Sequence, residues 1–242
     1  MKKRESTTEH WDKFWSAGNL EYLNKITDEL EKISLTGKMI LEIGAGSGST
    51  SIKLAQMGAL VTCIDYSQNA VQLIKKNAAV NSVSLFCVKA DAFALPFRDE
   101  SFDICFHQGF LEHFREPVKL LSEQHRTLKK NGILLVDVPQ TYSLYTLKKT
   151  MLILMGKWFA GWETQFSRES LKKVLTKAGF SYVRAFGRYH MRNLDRIQRR
   201  FLGKTVLPPI IETTYYRVVS ILENSIIGCY TAFALGMIVK KD

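Results

Sequence analysis

The sequence has 242 residues, a net charge of +11, 46% hydrophobic residues and 24% charged residues. This length and composition are typical of one soluble globular domain, or of a core domain with an insertion. A polar N-terminus predicts no secretory signal, and the uncharged residues 224–239 are fewer than the roughly 20 apolar residues that span a bilayer. The four cysteines lie singly in apolar runs without metal-ligand spacing, which predicts reduced core residues, no metal site and a cytoplasmic protein.

The first segment, residues 1–36, precedes the repeating pattern of the rest of the chain. Residues 7–33 are typical of two helices, with Trp11, Phe14 and Trp15 on one side of the first. We predict that this segment is a helical lid.

The next segment has a short apolar strand pattern that ends in glycines. Met39–Ile43 is typical of a buried strand, and Gly44, Gly46 and Gly48 follow it directly. A helical pattern begins at Ser49, so the glycines form a turn between a strand and a helix N-terminus. Such a corner binds nucleotides in α/β proteins, although a purely structural turn is an alternative at this point. The spacing G-x-G-x-G differs from the dinucleotide fingerprint, and no Lys-Ser/Thr pair follows to make a phosphate-binding P-loop.

From residue 37 to 140, strand and helix patterns alternate, which predicts a mainly parallel sheet. The predicted strands are Met39–Ile43, Leu60–Asp65, Ser84–Val88, Phe102–His107 and Gly132–Val138, and the predicted helices between them are Ser49–Met57, Gln68–Ala79 and Pro117–Leu128. We expect residues 37–140 to be the ligand-binding core.

Acidic residues stand where the predicted strands end, beside the glycine turn. Asp65 ends the second strand and can accept hydrogen bonds from both hydroxyls of a ribose, while Tyr66 can lie against an adenine ring. Asp91 follows the third strand, where its carboxylate can accept the adenine amino group. Glu42, just before the glycines, can help to hold a ligand ammonium group.

Five segments, in this order and spacing, carry a family resemblance. They are Leu-Glu-Ile-Gly-Ala-Gly-Ser-Gly (41–48), Cys-Ile-Asp-Tyr-Ser (63–67), Ala-Asp-Ala-Phe-Ala-Leu-Pro-Phe (90–97), Ser-Phe-Asp-Ile-Cys-Phe-His-Gln-Gly-Phe-Leu-Glu-His-Phe (101–114) and Leu-Lys-Lys-Asn-Gly-Ile-Leu-Leu (128–135). Together they resemble the class I S-adenosylmethionine-dependent methyltransferases, especially the small-molecule group called methyltransferase type 11.

The resemblance implies a fold, a cofactor and the residues that bind it. The implied fold is a Rossmann-like, seven-stranded, mostly parallel sheet with helices on both faces and an antiparallel last strand. The implied cofactor is S-adenosyl-L-methionine, which leaves as S-adenosyl-L-homocysteine and lies across the carboxyl ends of the strands. The implied cofactor-binding residues are Glu42, Gly44, Ala45, Gly46, Gly48, Asp65, Tyr66, Asp91, Ala92 and Gln108.

The implied reaction moves a methyl group from a sulfonium to a nucleophile, so the protein mainly supplies alignment and a dry pocket. Oxygen and protonated nitrogen acceptors also need a general base. His113, His107 and Glu163 are candidates. A backbone-bonded role for His113 stays open, and a core position is favoured for His107. We expect His113, with Glu163, to carry the catalysis.

The residues after the fourth strand bear on the acceptor. The strand ends in His-Gln-Gly-Phe (107–110), which lacks the Asn/Asp-Pro-Pro-Tyr/Phe motif that grips planar amines in adenine or glutamine methylation. This favours a small-molecule or lipid-like acceptor. A nucleic-acid methyltransferase and an inactive cofactor-binding protein are the alternatives, and an NAD oxidoreductase is disfavoured by the glycine spacing and Asp91.

Residues 141–242 are predicted to complete the sheet with strands Tyr182–Gly187 and Thr231–Lys240, separated by a basic helical insertion at about 189–226. Residues 151–242 carry 15 Lys/Arg against 6 Asp/Glu, a balance of +9. The basic residues of 184–204 predict an amphipathic helix whose basic face includes Arg188. This segment is either a solvated face or a peripheral contact with anionic membrane, with nucleic acid a weaker alternative.

Aromatic residues near the predicted sheet edge complete the expectations. They are Trp11, Trp15, Trp158, Phe159, Trp162 and Phe166. They form either a lid over the acceptor or ordinary core.

Overall fold

The computed structural model describes residues 7–16, 26–157, 163–188, 218, 221 and 225–242. The predicted insertion at 189–226 therefore lies almost entirely outside the described residues. Among the helices that the structure does describe, none has the length and apolar character needed to cross a membrane.

Within the described residues, seven strands form one sheet in the order β3-β2-β1-β4-β5-β7-β6. The strands are β1 (Met39–Ile43), β2 (Leu60–Asp65), β3 (Phe86–Lys89), β4 (Phe102–Gln108), β5 (Leu128–Pro139), β6 (Phe180–Arg188) and β7 (Ala234–Lys241). β1 to β5 pair in parallel, whereas β7 runs antiparallel between β5 and β6. The predicted Rossmann-like sheet with an antiparallel last strand is confirmed.

Helices flank this sheet and precede it. They are α1 (Thr8–Ser16), α2 (Ile26–Leu30), α3 (Ser49–Gln56), α4 (Gln68–Val80), α5 (Pro117–Thr127), α6 (Leu144–Leu154), α7 (Arg168–Lys177) and a short C-terminal helix (Gly228–Thr231). Side-chain caps fix several of these starts, because the Ser67, Ser143 and Ser167 hydroxyls each accept a hydrogen bond from a backbone N–H of the first helical turn.

Alternate residues of the central strands pack into two separate cores. Ile40 and Ile104 face a cluster that includes Leu54 of α3, whereas Leu41 and Cys105 face a larger cluster under α5 and α7. A strand sends successive side chains to opposite faces, and a parallel sheet covered by helices buries both. This explains why both faces of the central strands carry mostly apolar residues.

Several predicted boundaries differ from the structure. β6, for example, spans Phe180–Arg188 rather than Tyr182–Gly187. β3 begins at Phe86 rather than Ser84, and β5 begins at Leu128, where Leu128 pairs with Phe102 before the register shifts. β7 begins at Ala234 rather than Thr231 because Thr231 still belongs to the short C-terminal helix.

Candidate functional site

The carboxyl ends of β1 and β2 meet at the glycine turn. Gly44, Gly46 and Gly48 all have positive φ, at 68°, 55° and 71°. The backbone N–H groups of Gly44 and Ala45 both donate to the Ile64 carbonyl, at 2.9 and 3.1 Å. These bonds fix the turn against β2, in a backbone conformation that favours glycine.

Aromatic rings lie directly on two of these glycines. A Cβ added to Gly44 would lie 2.4 Å from the Phe110 ring, and a Cβ added to Gly46 would lie 2.4 Å from the Trp15 ring. The turn therefore forms a cradle with no space for a side chain at either position.

Asp65 ties the end of β2 to this turn. Its carboxylate accepts hydrogen bonds from the backbone N–H of Gly46 and of Ser67, both at 2.9 Å. Burial raises the pKa of Asp65, while these bonds oppose the shift. The neighbouring Tyr66 is exposed. Asp65, which is predicted to bind the ribose, is thus held beside the glycines by two backbone hydrogen bonds.

Glu42 lies one strand away and faces inward. Its carboxylate accepts hydrogen bonds from the Ser51 backbone N–H at 3.2 Å and the Ser51 hydroxyl at 2.5 Å. Burial raises the pKa of Glu42 to about 8. In this structure Glu42 fastens β1 to α3.

The residues after β3 continue the same edge. The Ala90 N–H donates to the Asp65 carbonyl at 3.1 Å, which places the Asp91 segment beside the end of β2. The Asp91 carboxylate is exposed and accepts the Phe93 N–H at 2.9 Å, while Ala92 is buried. The structure therefore brings the predicted cofactor residues of β1, β2 and β3 to one edge.

Helix α1 covers this edge. Besides the Trp15 ring on Gly46, Asp12 accepts a hydrogen bond from the Ser67 hydroxyl at 2.5 Å and the Asn69 side-chain amide donates to the Asp12 carbonyl at 2.9 Å. The bond from Ser67 lowers the pKa of Asp12. Helix α1 is thus attached to the start of α4 above the cradle.

The end of β4 turns sharply at Gly109, whose φ is 59° and whose N–H donates to the Asp137 carbonyl at 2.9 Å. Gln108 is the last residue of β4, and a single 3-10 turn, Leu111–His113, follows. The His113 ring meets the Trp11 ring of α1 at 5.0 Å, edge to face. His113 therefore lies between β4 and the helix that covers the cradle.

Aromatic side chains surround this turn. The Phe110 ring lies 4.6 Å from the Phe114 ring, and Phe114 lies 5.4 Å from Phe93. Because Phe110 also contacts Gly44, the group extends from the cradle to the residues beside His113. It forms an apolar wall next to the cofactor edge.

A buried ionic group lies behind the 3-10 turn. The Lys149 ammonium bonds the Glu163 carboxylate at 2.5 Å, and both residues are buried. The Thr164 N–H donates to the Glu112 carbonyl at 2.6 Å. Burial raises the pKa of Glu112 well above its usual range, and the charge of Glu163 adds to the shift. Glu163 is thus in an ion pair with Lys149. The neighbouring carboxyl group of Glu112 favours its own neutral form, because its pKa is raised.

A second buried pair joins β5 to β6. Asp137 and Arg188 lie 3.5 Å apart and both are 2% exposed. Burial raises the pKa of Asp137 to about 6, against the opposing effect of Arg188. Arg184 is also in β6 and pairs with Glu29. The prediction of a basic helical face that includes Arg188 is therefore wrong, because this arginine is a strand residue committed to a buried acid. The remaining arginines of 184–204 lie outside the described residues.

Two further predicted residues lie in the interior. His107 is fully buried, its ring nitrogens have no hydrogen-bond partner among the described residues, and burial lowers its pKa to about 3. His107 is a neutral histidine of the core, which is the position that the sequence favours. Phe166 is 2% exposed and packs in the larger core, which is the second of the two alternatives stated for the aromatic residues. Trp158, Phe159 and Trp162 lie outside the described residues.

The arrangement fits an adenosyl cofactor. The glycine turn has no side chains of its own, and the Phe110 and Trp15 rings lie against it, so a ligand at this edge would meet bare backbone beside aromatic surface. Asp65 and Asp91 present carboxyl groups at successive strand ends, suited to ribose hydroxyls and an adenine amino group. Ligands of open α/β sheets bind at this edge.

Comparisons with known proteins agree with this geometry. A family model described as a methyltransferase domain matches residues 41–136. The demethylmenaquinone methyltransferase of Staphylococcus aureus is 31% identical over 172 residues, which cover 61% of this chain and 70% of that protein. The ubiquinone biosynthesis O-methyltransferase of Pasteurella multocida is 31% identical over 132 residues, which cover 50% of this chain and 53% of that protein.

A solved structure gives the same fold. The S-adenosylmethionine-dependent methyltransferase from Thermotoga maritima, described as a possible histamine N-methyltransferase, has a TM-score of 0.69 at 18% identity and covers 98% of this chain and 100% of that one. The chain spans 49% to 61% of the length of the first curated relatives that it matches.

The sheet order and the glycine–acid cradle define the class I methyltransferase fold. The chain belongs to the S-adenosylmethionine-dependent methyltransferase family. S-adenosylmethionine is accordingly its cofactor, as the resemblance implied.

Several residues of the site were not predicted, namely Asp12, Glu112, Asp137 and Lys149. For Asp137 the sequence carries a signal, since it is a single charge within an apolar stretch. Charged residues are almost never fully buried unless they are paired, so Asp137 predicts an ionic partner. Lys149 stands beside Lys148 and carries no such signal. The partners, Arg188 and Glu163, are distant in sequence and only the fold identifies them.

Proposed function

We propose that this chain transfers the methyl group of S-adenosylmethionine to a small, apolar or lipid-like acceptor of the quinone-precursor type. The observation that carries the proposal is the wall of Phe93, Phe110 and Phe114, which runs from Gly44 to the residues beside His113. The two quinone-related names among the relatives support an acceptor of this kind.

In this proposal the chain mainly binds and orients. The cofactor, when bound, supplies the electrophilic methyl group. The glycine turn lets the cofactor approach the backbone, Asp65 accepts hydrogen bonds from the ribose hydroxyls, and Asp91 accepts one from the adenine amino group. The phenylalanine wall excludes water from the acceptor, which favours close alignment of the two reactants.

We assign the proton transfer to His113. It follows β4 directly and its ring contacts α1 beside the cradle, so an acceptor hydroxyl against the phenylalanine wall would lie within reach of the imidazole. Glu163 is engaged by Lys149 in the interior. We therefore propose a positioning role for Glu163, through the ion pair that holds α6 against the 3-10 turn.

The test measures release of S-adenosylhomocysteine with three acceptors: a prenylated dihydroxybenzene, a small primary amine and a structured RNA. The proposal expects turnover with the prenylated ring alone. Turnover with RNA would support the nucleic-acid alternative, and cofactor binding without turnover on any acceptor would support an inactive binding protein.

A His113→Gln variant tests the base separately. We expect kcat to fall about 100-fold with little change in KM, and activity to recover at high pH, where the acceptor hydroxyl ionises without help. Unchanged kcat from pH 6 to pH 9 would remove His113 from this role.

A further inference from the structure

Helix α6 presents an apolar face to the outside. This outer face consists of Leu147, Met151, Leu154 and Met155, which are 61%, 58%, 76% and 57% exposed. The four positions follow one another at helical spacings of four, three and one residues, so they lie on one side of the helix. A helix on the surface of a soluble domain normally points such a face at the core. Here the orientation is reversed.

The orientation of α6 is fixed by its inner face. Lys149 is fully buried in its ion pair with Glu163, and the Thr146 hydroxyl donates to the Gln140 carbonyl at 2.6 Å. Rotating the helix to bury Leu147 and Leu154 would expose or break this buried pair. The outer face is therefore a consequence of how the site is built.

The exposed charge beside the outer face is positive. Residues 138–162 contain no acid, and of their three lysines Lys149 is paired with Glu163, whereas Lys157 is exposed and follows α6 closely. Tyr142, two residues before the helix, is 66% exposed. An apolar helix face with an exposed lysine and an exposed tyrosine beside it suits a helix that lies in a membrane interface.

We infer that the outer face of α6 docks on the surface of an anionic membrane. The apolar side chains would enter the headgroup region, and the exposed Lys157 beside them would be attracted to anionic lipids. We therefore place the contact on α6. Of the basic residues of 184–204, Arg184 and Arg188 are strand residues with acidic partners, and the others lie outside the described residues.

This docking would place the site beside the lipid. Through Lys149 and Glu163, α6 is joined to Glu112 and the 3-10 turn, so a docked helix leaves the acceptor side of the site next to the bilayer. The inference stands independently of the proposed acceptor, because vesicle binding is measured without cofactor or acceptor.

The experiment is flotation of the full chain with vesicles of equal parts phosphatidylglycerol and phosphatidylcholine. The test variant is Leu147→Glu/Leu154→Glu. The control is Leu60→Glu/Val80→Glu, which changes two equally exposed residues elsewhere, at 60% and 75% against 61% and 76%. Both variants should retain S-adenosylhomocysteine binding, which shows that they are folded.

We expect wild type and control to float with the anionic vesicles. The fraction of the α6 variant that floats should be about tenfold lower, because two apolar side chains are replaced by acids that face anionic lipid. Wild type should bind pure phosphatidylcholine less well than the anionic mixture. Absence of wild-type binding, or equal binding by the two variants, would overturn the inference. So would a wild-type dimer in light scattering that only the α6 variant dissociates, because a second copy would then cover this face.

Discussion

The cofactor side of the site and the side on which we propose that the acceptor binds (the acceptor side) are built differently. On the cofactor side, residues 42–67 are joined largely by backbone N–H groups that donate to Ile64 and Asp65. On the acceptor side, residues between 112 and 188 are joined by two buried ion pairs, Lys149–Glu163 and Asp137–Arg188. Local backbone geometry holds one side, and distant charges hold the other.

This difference has an energetic meaning. A glycine turn with satisfied backbone groups costs little to bury, whereas each buried ion must recover its lost hydration from its partner. The acceptor side is therefore the part whose stability depends on single side chains. On the cofactor side, the glycine turn should be sensitive to added volume at its glycines.

The largest effect is expected from breaking the ion pair of the acceptor side. Lys149→Met leaves Glu163 buried without its counter-ion, beside Glu112, and we expect the free energy of unfolding to fall by about 3–5 kcal/mol. The matched control is Lys53→Met, which removes an ion pair with Glu31 between side chains that are 45% and 42% exposed and should cost less than about 1 kcal/mol.

Urea unfolding of both variants gives the measurement. Lys149→Met/Glu163→Gln should recover part of the loss, because the uncompensated charge is gone. Equal effects at Lys149 and Lys53 would contradict the distinction between the two sides.

The next effect concerns added volume in the cradle. Gly46→Ala should weaken S-adenosylhomocysteine binding about 100-fold in calorimetry, because the new methyl group collides with the Trp15 ring and displaces the helix that covers this turn. Gly37→Ala is the control, since Gly37 also has positive φ, at 73°, but no atom lies within 4 Å of an added Cβ. Both variants place an alanine at positive φ. Equal affinities of the two variants for S-adenosylhomocysteine would therefore contradict an effect of added volume at Gly46.

A third effect tests the helix that covers the cradle. We infer that α1 acts as the lid expected for residues 1–36, since Trp15 lies on Gly46 and Asp12 holds the start of α4. Trp15→Leu should make S-adenosylhomocysteine dissociate about tenfold faster in stopped flow, because less aromatic surface covers the ligand. Lys13→Ala, an exposed change on the same helix, should leave the rate as it is. An unchanged rate in the Trp15 variant would remove the lid role.

The smallest effect is a pH dependence on the cofactor side. Because the pKa of Glu42 is raised to about 8, the folded chain holds a proton there that the unfolded chain releases above its ordinary pKa of 4.5. Stability from this group is therefore lost as the pH rises from about 4.5 to about 8, with a slope of at most about 1.4 kcal/mol per pH unit.

Glu42→Gln removes this ionisation. The difference in the free energy of unfolding between the variant and wild type, measured in urea without cofactor, should shift in favour of the variant as the pH rises from 5 to 8. The exposed Glu116→Gln control should differ from wild type by the same amount at both pH values. A pH-independent difference for Glu42→Gln would contradict the raised pKa.

The same contrast explains what could be predicted from the sequence. The strands β1 and β2 and the glycine turn were predicted to the residue, because apolar runs and closely spaced glycines act locally. Arg188 was assigned to a basic helix, because periodicity along the chain carries no information about Asp137 in another strand. Glu163 is a candidate base from the sequence, and its partner Lys149 is identified only when α6 packs against the 3-10 turn.

The measurement that tests the account most directly compares two acceptors with the same dihydroxybenzene ring, one with an isoprenoid tail and one without. If the acceptor is lipid-like, kcat/KM should be at least about tenfold higher with the tail, since each buried methylene contributes about 0.8 kcal/mol. Equal values, or a preference for the tailless ring, would contradict the proposal that this methyltransferase acts on a lipid-like molecule.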